Sequence, residues 1–299
     1  MVQGIAGLLV LFFLVRQFVI NWDELTTARL NWRLRAHFLV ASALVTWLMY
    51  GILILSWRRF LLGWSQPIPL ATAVRIWAVS SLGKYIPGKI WAIAGMAIMA
   101  QRAGVAPWAA TTSAILMQGL AVGSGVVVVG ILGTYGLELH YHWIRTALYG
   151  LAAASAVGIG LLVFPAISAR LTRRFTSTTV PAAGASTIGF GIAANLLAWM
   201  GYGVAFWLLA HGSLPDLVLP LPTAVGAFTA SYLVGLLAVL MPGGLMVRET
   251  FLVLMLQGSI GLAPATALAV ASRLMLTLTE VGVAVPFLVF PREKTRVPT

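Results

Sequence analysis

Long uninterrupted runs of apolar residues are the feature that most constrains the fold of this chain. Five runs are long enough to cross the roughly 30 Å hydrocarbon core of a bilayer as helices: Phe38–Trp57, Pro107–Leu132, Ile144–Phe164, Ser186–Ala210 and Ala265–Phe290. A sixth, shorter run covers Gly4–Ile20. Only 9% of the residues are charged, against about 25% in soluble domains. These features predict an all-α polytopic membrane protein in which residues 1–299 form one integral membrane domain.

The charged residues between the runs predict the orientation of the chain. With the N-terminus in the cytoplasm, the inner side holds nine basic residues: Arg58, Arg59, Arg102, Arg170, Arg173, Arg174, Arg292, Lys294 and Arg296. The outer side then holds Asp23, Glu24, Glu138 and Asp216, with one basic cluster of Arg29, Arg33 and Arg35. Because basic residues collect in cytoplasmic loops, we expect a multi-pass cytoplasmic-membrane protein with both termini inside. The same sorting explains the net charge of +12 better than a nucleic-acid partner.

Two segments between the spans share an unusual layout. The first contains Thr72-Ala-Val, then Pro87-Gly88, then Gly104-Val-Ala-Pro107. The second contains Thr223-Ala-Val, then Pro242-Gly243-Gly244, then Gly261-Leu-Ala-Pro264. In each copy a Pro-Gly break interrupts a hydrophobic segment. Backbone groups freed by such a break need partners within the protein or in water, so a broken helix indicates a buried or hydrated cavity.

The pieces around the breaks predict two re-entrant hairpins. Ile90–Ala100 has eleven residues, about half of a bilayer at roughly 1.5 Å per residue. Leu221–Met241 is long enough to span alone, so a pair of full spans stays open as an alternative. Three spans separate the copies, which gives residues 71–132 and 223–290 opposite orientations. Inverted repeats of this kind bind a substrate near the bilayer midplane in secondary transporters.

The first break carries two basic residues. Lys84 and Lys89 flank Pro87-Gly88, and Tyr85 lies beside them. One interpretation is a cationic pocket in which Lys89 and the following helix N-terminus face an anionic group such as a lipid phosphate. The other is that both lysines extend to the membrane interface, where Tyr85 and Trp91 belong to an aromatic belt. We favour the pocket because ionisable residues inside a membrane usually face a cavity or a partner.

Four charged residues in the second copy predict a buried network. Arg248 and Glu249 are adjacent on a helix, so they point about 100° apart and need different partners. Arg273 and Glu280 are seven residues apart and share a face of the last span. Glu249 can then neutralise Arg273 or a lysine of the first copy. A purely structural set of buried ion pairs is the alternative.

Other candidate motifs are weak. His140 and His142 form a pair in an outer loop without a further ligand nearby in the sequence, so we interpret them as interfacial residues and predict no metal site. Gln118, Asn195 and Gln257 either line a cavity or connect helices through hydrogen bonds. We find no nucleophile elbow, phosphate-binding loop or metal-binding motif, and we therefore expect neither an enzyme nor a cofactor.

Two ordered motifs resemble those of the lysylphosphatidylglycerol synthase transmembrane family, also called flippase-like. They are Ser81-Leu-Gly-Lys-Tyr-Ile-Pro-Gly-Lys-Ile-Trp91 and Met241-Pro-Gly-Gly-Leu-Met-Val-Arg-Glu249, followed by Arg273. The resemblance covers nearly the whole chain. Many relatives have glycine and an acidic residue just after the first Pro-Gly, where this chain has Lys89 and Trp91. The difference strengthens the hypothesis of phosphate binding.

The resemblance implies a protein that translocates anionic lipids or lipid-linked sugars between leaflets. Bifunctional relatives add a soluble aminoacyltransferase domain, but this chain stops eight residues after Pro291, so we do not expect synthase activity. We predict a flippase for an anionic phospholipid or a polyprenyl-phosphate-linked glycan, in which Lys84, Lys89, Arg248 and Arg273 contact the headgroup. The alternative is a non-transporting scaffold for envelope-biosynthesis enzymes. A headgroup-modifying enzyme and a small-solute exporter are less favoured.

Overall fold

The computed structural model describes residues 34–86, 90–133, 142–164, 170, 183–238, 244 and 246–289. The described residues form helices and no strands, which confirms the all-α prediction. In chain order the helices are α1 (Ala36–Gly63), α2 (Leu70–Ser81), α3 (Ile90–Arg102), α4 (Pro107–Leu132), α5 (His142–Leu161), α6 (Ala185–Ser213), α7 (Leu221–Leu237), α8 (Val247–Ile260) and α9 (Leu262–Val289). A 3₁₀ turn, Leu82–Tyr85, follows α2.

Four of these helices are long and apolar enough to cross a membrane: α1, α4, α6 and α9. Helices α1, α4 and α6 each contain a predicted run, α9 covers the run Ala265–Phe290 as far as Val289, and α5 overlaps the run Ile144–Phe164. The sixth predicted span, Gly4–Ile20, lies outside the described residues. The chain is thus a multi-pass α-helical membrane protein by the length and composition of its helices.

Each of the two Pro-Gly segments folds as a pair of short helices. Helices α2 and α3 have 12 and 13 residues, and α7 and α8 have 17 and 14, so their lengths are about 18 to 26 Å. In each pair the two helices pack against each other. The breaks themselves, Pro87-Gly88 and Pro242-Gly243, lie outside the described residues. We call α2–α3 the first hairpin and α7–α8 the second.

The same proline geometry begins both hairpins. Pro69 precedes α2 with φ −58° and ψ 145°, and Pro220 precedes α7 with φ −60° and ψ 139°. The extended conformation fits the proline ring, whose φ is fixed near −65°. Each hairpin is followed by a glycine with positive φ, Gly104 at +92° and Gly261 at +84°. The two segments therefore share local structure at their starts and ends.

The hairpins begin at opposite ends of the helix bundle. Next to the end of α1, the Arg58 Nε donates to the Ile68 carbonyl at 2.8 Å, and Gln66 accepts a hydrogen bond from the Ala106 N–H at 2.8 Å. The first hairpin therefore starts and finishes at this end. Helix α6 runs antiparallel to α1, since the Arg35 N–H donates to the Gly212 carbonyl at 2.8 Å. The second hairpin starts there, beside the end of α6.

Contacts among the helices have a two-fold pattern. If α1, α2, α3 and α4 are exchanged for α6, α7, α8 and α9 in that order, the contacts among these helices correspond to one another. Helix α4 packs on α7 as α9 packs on α2, and α1 packs on α9 as α6 packs on α4. The contacts of α2 with α1 and of α7 with α6 are exchanged in the same way. The pattern includes one more helix, α1 or α6, than each of the predicted segments 71–132 and 223–290. Helix α5 packs mainly against α4.

A glycine lies at the closest approach within each hairpin. A Cβ atom on Gly83 would lie 2.8 Å from the backbone nitrogen of Ala92. A Cβ atom on Gly235 would lie 2.7 Å from the Cβ of Arg248. Only glycine allows the helices to approach this closely near the breaks. Gly244, at φ +67°, packs against the Gly235 backbone and extends the same contact.

Candidate functional site

A cavity of about 270 Å³ lies in the centre of the bundle. Tyr50 and Trp199, which line it, lie at the midpoints of α1 and α6. Its walls come from both hairpins and from α1, α4, α6 and α9. The volume approaches the roughly 300 Å³ at which ligand pockets begin. The cavity thus lies at the mid-depth of the bundle, and both halves of the two-fold pattern contribute residues to its wall.

The carboxylate of Glu280 on α9 contacts three side chains from two other elements, α1 and the 3₁₀ turn. It forms an ion pair with Lys84, accepts a hydrogen bond from the Tyr50 hydroxyl at 2.8 Å and accepts another from the Tyr85 hydroxyl at 2.9 Å. The Tyr85 hydroxyl also contacts the Thr277 Oγ1 at 3.1 Å. A buried carboxylate is stable only when it is paired and hydrogen-bonded. This network joins the 3₁₀ turn of the first hairpin to the last helix.

Arg273 of α9 pairs with Glu249 of α8, the last helix of the second hairpin. Their Nη1 and Oε1 atoms are 3.4 Å apart, and both side chains are more than nine-tenths buried. Of the two partners that the sequence left open for Glu249, the structure shows Arg273. The guanidinium of Arg273 also lies 5.6 Å from the centre of the Tyr85 ring, within the range of a cation–π interaction.

Arg248 is the cation of the described cavity wall that has no carboxylate partner among the described residues. Its Nη2 donates to the Ser272 Oγ at 3.1 Å, and its Nε has no hydrogen-bond partner. Among the described residues, neither carboxylate of the site lies within 4.0 Å of its guanidinium nitrogens. The residue is 4% exposed. Arg248 lines the cavity, and a buried guanidinium without a carboxylate partner is suited to an anionic ligand.

Aromatic side chains form the wall beside Arg248. The rings of Phe228 and Tyr232 each lie 5.2 Å from its guanidinium carbon. Trp199 lies 5.6 Å from Tyr232 and 6.4 Å from Tyr202, both edge-on. These rings compensate part of the cost of burying the charge. They also hold the guanidinium in place through packing.

The charges of the cavity are distributed unevenly between its walls. Lys84, Arg248, Arg273 and Glu280 lie on the 3₁₀ turn, α8 and α9. The facing wall from α3 and α4 is neutral, and its members are Ala92, Ile93, Met96, Ala114, Met117, Gln118 and Ala121. Under the two-fold exchange of helices, a charged wall therefore corresponds to a neutral one.

The structure brings most of the predicted site residues together. Lys84, Tyr85, Arg248, Arg273 and Glu280 all line the cavity. Glu249 does not line it and reaches it only through Arg273, so its predicted contact with a ligand is indirect. The prediction for Lys89 concerns a residue outside the described ranges, as do those for Pro87, Gly88, Pro242 and Gly243.

The remaining polar candidates separate in the structure. Gln118 and Asn195 line the cavity, and the Asn195 amide also donates to the Gly191 carbonyl at 2.8 Å. Gln257 is exposed on the outer face of α8, away from the cavity. His142 is exposed at the start of α5, and His140 lies outside the described residues. Trp91 is half-exposed and does not line the cavity.

Sequence reasoning missed the aromatic residues that α1, α6 and α7 contribute. Tyr50, Trp199, Tyr202 and Tyr232 lie within apolar runs whose composition marks only a span. One signal was available: interfacial tyrosine and tryptophan lie near the ends of spans, whereas Tyr50 and Trp199 lie at the centres. An aromatic residue with a polar atom at the centre of a span needs a buried partner.

The fold and the site define a class: an α-helical multi-pass membrane protein with a central cavity whose described wall is mostly apolar and carries three cations and one carboxylate. Comparison of the chain with models of known protein families found no match, and comparison with curated proteins found no match either. The resemblance to the flippase-like family thus remains a prediction from the two motifs.

Proposed function

We propose that this protein carries an anionic lipid between the leaflets of the cytoplasmic membrane, with the headgroup in the central cavity and the tails in the bilayer. The cargo is an anionic phospholipid or a polyprenyl-phosphate-linked glycan. One observation supports the proposal above all others. Arg248 lines the cavity, has a buried Nε without a hydrogen-bond partner and has no carboxylate partner among the described residues.

The energetic need for such a site is large. An isolated charge at the centre of a bilayer costs at least several kcal/mol. A fixed counter-charge in a hydrated cavity lowers this barrier for a phosphate while the tails stay in lipid. Guanidinium groups are well suited because they bind phosphate oxygens through paired donors.

We further propose that the two hairpins are re-entrant and that α1–α4 and α6–α9 form an inverted repeat. The exchanged helix contacts support this, as do the short hairpin helices and their starts at opposite ends of the bundle. Rocking of one half against the other would open the cavity to each side in turn. With Arg58, Arg59 and Arg102 at the cytoplasmic end, the first hairpin enters from the cytoplasm.

Reconstitution tests the function directly. Purified protein is placed in liposomes with a chain-labelled phosphatidylglycerol or a labelled polyprenyl phosphate, and the label in the outer leaflet is bleached over time. We expect faster exchange of at least one lipid than in empty liposomes. Arg248→Gln should slow it by about tenfold to hundredfold, since a charge-assisted hydrogen bond is worth roughly 1.5–3 kcal/mol.

The matched control is Arg59→Gln. Arg59 is exposed and lies over the Phe190 ring rather than in the cavity, so the change removes the same charge elsewhere on the chain. Equal rates for both variants and the wild type, or no exchange above empty liposomes, would contradict the proposal. A scaffold for envelope-biosynthesis enzymes, the other candidate, predicts that Arg248→Gln leaves cellular function intact.

A further inference from the structure

The charged groups of the cavity carry a definite net charge. Its described wall includes three cations, Lys84, Arg248 and Arg273, and one carboxylate, Glu280. A second carboxylate, Glu249, pairs with Arg273 from behind the wall. Two of the cations are thus matched by carboxylates. The described site as a whole carries one excess positive charge.

The excess charge is localised rather than shared. Lys84 is compensated by Glu280, and Arg273 by Glu249. Arg248 has Ser272, two aromatic rings and an unpartnered Nε. Each of these neighbours is neutral. The missing negative charge therefore belongs next to Arg248.

A ligand that completes this site leaves no net charge in the low-dielectric centre of the bundle. A headgroup with one negative charge neutralises the site, whereas a neutral or zwitterionic headgroup leaves it with a net charge of +1. A headgroup with two negative charges leaves it at minus one. An uncompensated buried charge of either sign is costly. Lipid exchange should therefore be fastest for a headgroup with one negative charge.

We propose that the cavity selects its lipid by charge and accepts a phosphodiester headgroup with a single net negative charge, bound at Arg248. This inference rests on the proposed lipid transport and narrows its cargo. Phosphatidylglycerol and a sugar attached to a lipid through one phosphate meet the condition. Pyrophosphate-linked lipids, phosphate monoesters and zwitterionic phospholipids do not.

Exchange of lipids that share labelled tails and differ in headgroup tests the selection at pH 8. Phosphatidylglycerol supplies one negative charge, phosphatidylethanolamine none, and phosphatidic acid about two, since the second pKa of a phosphate monoester is roughly 6. We expect the wild-type protein to exchange phosphatidylglycerol at least about tenfold faster than either of the others.

Two variants move the charge of the site in opposite directions. Glu249→Gln raises it by one and should shift the preference towards phosphatidic acid. Arg248→Gln lowers it by one and should remove the preference of phosphatidylglycerol over phosphatidylethanolamine. Arg59→Gln, outside the cavity, should leave the order of the three lipids unchanged.

Failure of this inference is distinct from failure of the function. Exchange of phosphatidylglycerol above empty liposomes, with phosphatidic acid or phosphatidylethanolamine exchanged equally fast, overturns selection by charge and leaves the transport function standing. Exchange of none of the three lipids, together with no exchange of the labelled polyprenyl phosphate, overturns both. Lys89→Gln checks the count of charges, because a loss of preference equal to that of Arg248→Gln would mean that a second excess cation belongs to the site.

A binding measurement on the wild-type protein tests the same selection in case the variants fold poorly. Short-chain forms of the three lipids are added to the wild-type protein in detergent, and the midpoint of thermal unfolding is recorded. Stabilisation by the phosphatidylglycerol form at concentrations where the other two give none supports the proposal. Equal stabilisation by all three contradicts it.

Discussion

At the scale of single residues, Glu280 holds the most connected position in the site. It receives Lys84 and two tyrosine hydroxyls from elements far apart in the sequence. Replacing it by glutamine keeps the shape but leaves the lysine without its counter-charge. Replacing the lysine instead leaves a carboxylate that still accepts two hydrogen bonds. The two changes are therefore unequal.

We predict that Glu280→Gln destabilises the protein more than Lys84→Met. Removing one partner of a buried ion pair costs roughly 3–5 kcal/mol, and the cost should be at the lower end here because the Lys84 side chain is 26% exposed. Thermal unfolding in detergent measures both variants. The double variant should recover part of the loss, with a coupling of about 1–3 kcal/mol. Strictly additive losses would show that the ion pair contributes nothing.

The sequence allowed the charged residues to be predicted because charge is rare within apolar runs and needs a partner there. Lys84, Arg248, Arg273 and Glu280 were found on that ground. The partner of Glu280 could not be predicted, since Glu280 is 196 residues from Lys84 and only the packing of α9 on the first hairpin decides which cation it meets. The aromatic wall was missed because tyrosine and tryptophan do not stand out within a span.

At the scale of elements, the hairpins depend on a close approach of two helices. Gly235 makes this possible on α7, where the first turn of α8 carries Arg248. The same contact that lets the helices touch also fixes the position of the guanidinium. The glycine is thus a positioning residue for the site, through Arg248.

We predict that Gly235→Ala costs about 1–3 kcal/mol of stability, the usual effect of overpacking, and weakens lipid exchange by displacing Arg248. Gly258→Ala on α8 is the control, because a Cβ atom there would meet nothing within 4 Å. Alanine should be neutral or favourable by up to about 1 kcal/mol at that position. Thermal unfolding and lipid exchange measure both. An equal loss of stability in the two variants would contradict the assigned contact.

At the scale of the whole molecule, the sequence predicted the positions of the described spans, whereas the proposed repeat also draws on the packing of the helices. Apolar runs located both ends of α4, α6 and α9 to within three residues and the start of α1 to within two, while α1 extends six residues beyond its run; the agreement follows because span length is set by bilayer thickness. The predicted segments 71–132 and 223–290 omitted α1 and α6. A plain apolar span has no motif to pair it with another, and only its packing shows that α1 and α6 take equivalent positions.

The opposed hairpins can be tested because the chain contains no cysteine. Single variants Ser65→Cys and Ala103→Cys flank the first hairpin, and Asp216→Cys and Ser259→Cys flank the second; all four positions are exposed. We predict that an impermeant thiol reagent labels the first two from the cytoplasmic side and the last two from the other. Labelling of all four from one side would contradict the inverted arrangement.

Depth is tested by a fifth variant, Ile86→Cys, next to the first break. In a re-entrant hairpin this position is near mid-depth and should react slowly from both sides. Fast labelling from the side opposite to Ser65→Cys would show instead that the hairpin crosses the membrane completely.

The unlike walls of the cavity bear on the transport cycle that we propose. If the two halves were identical and related by a two-fold axis, the inward-facing and outward-facing forms would have equal free energies. Neither form would then be preferred in the absence of a ligand. Here one half supplies Arg248, Arg273 and Glu280, and the other supplies Ala92, Gln118 and methionines at the facing surface. Because the two halves differ, the inward-facing and outward-facing forms differ in free energy. An empty carrier of this kind should rest with its cavity turned towards one leaflet.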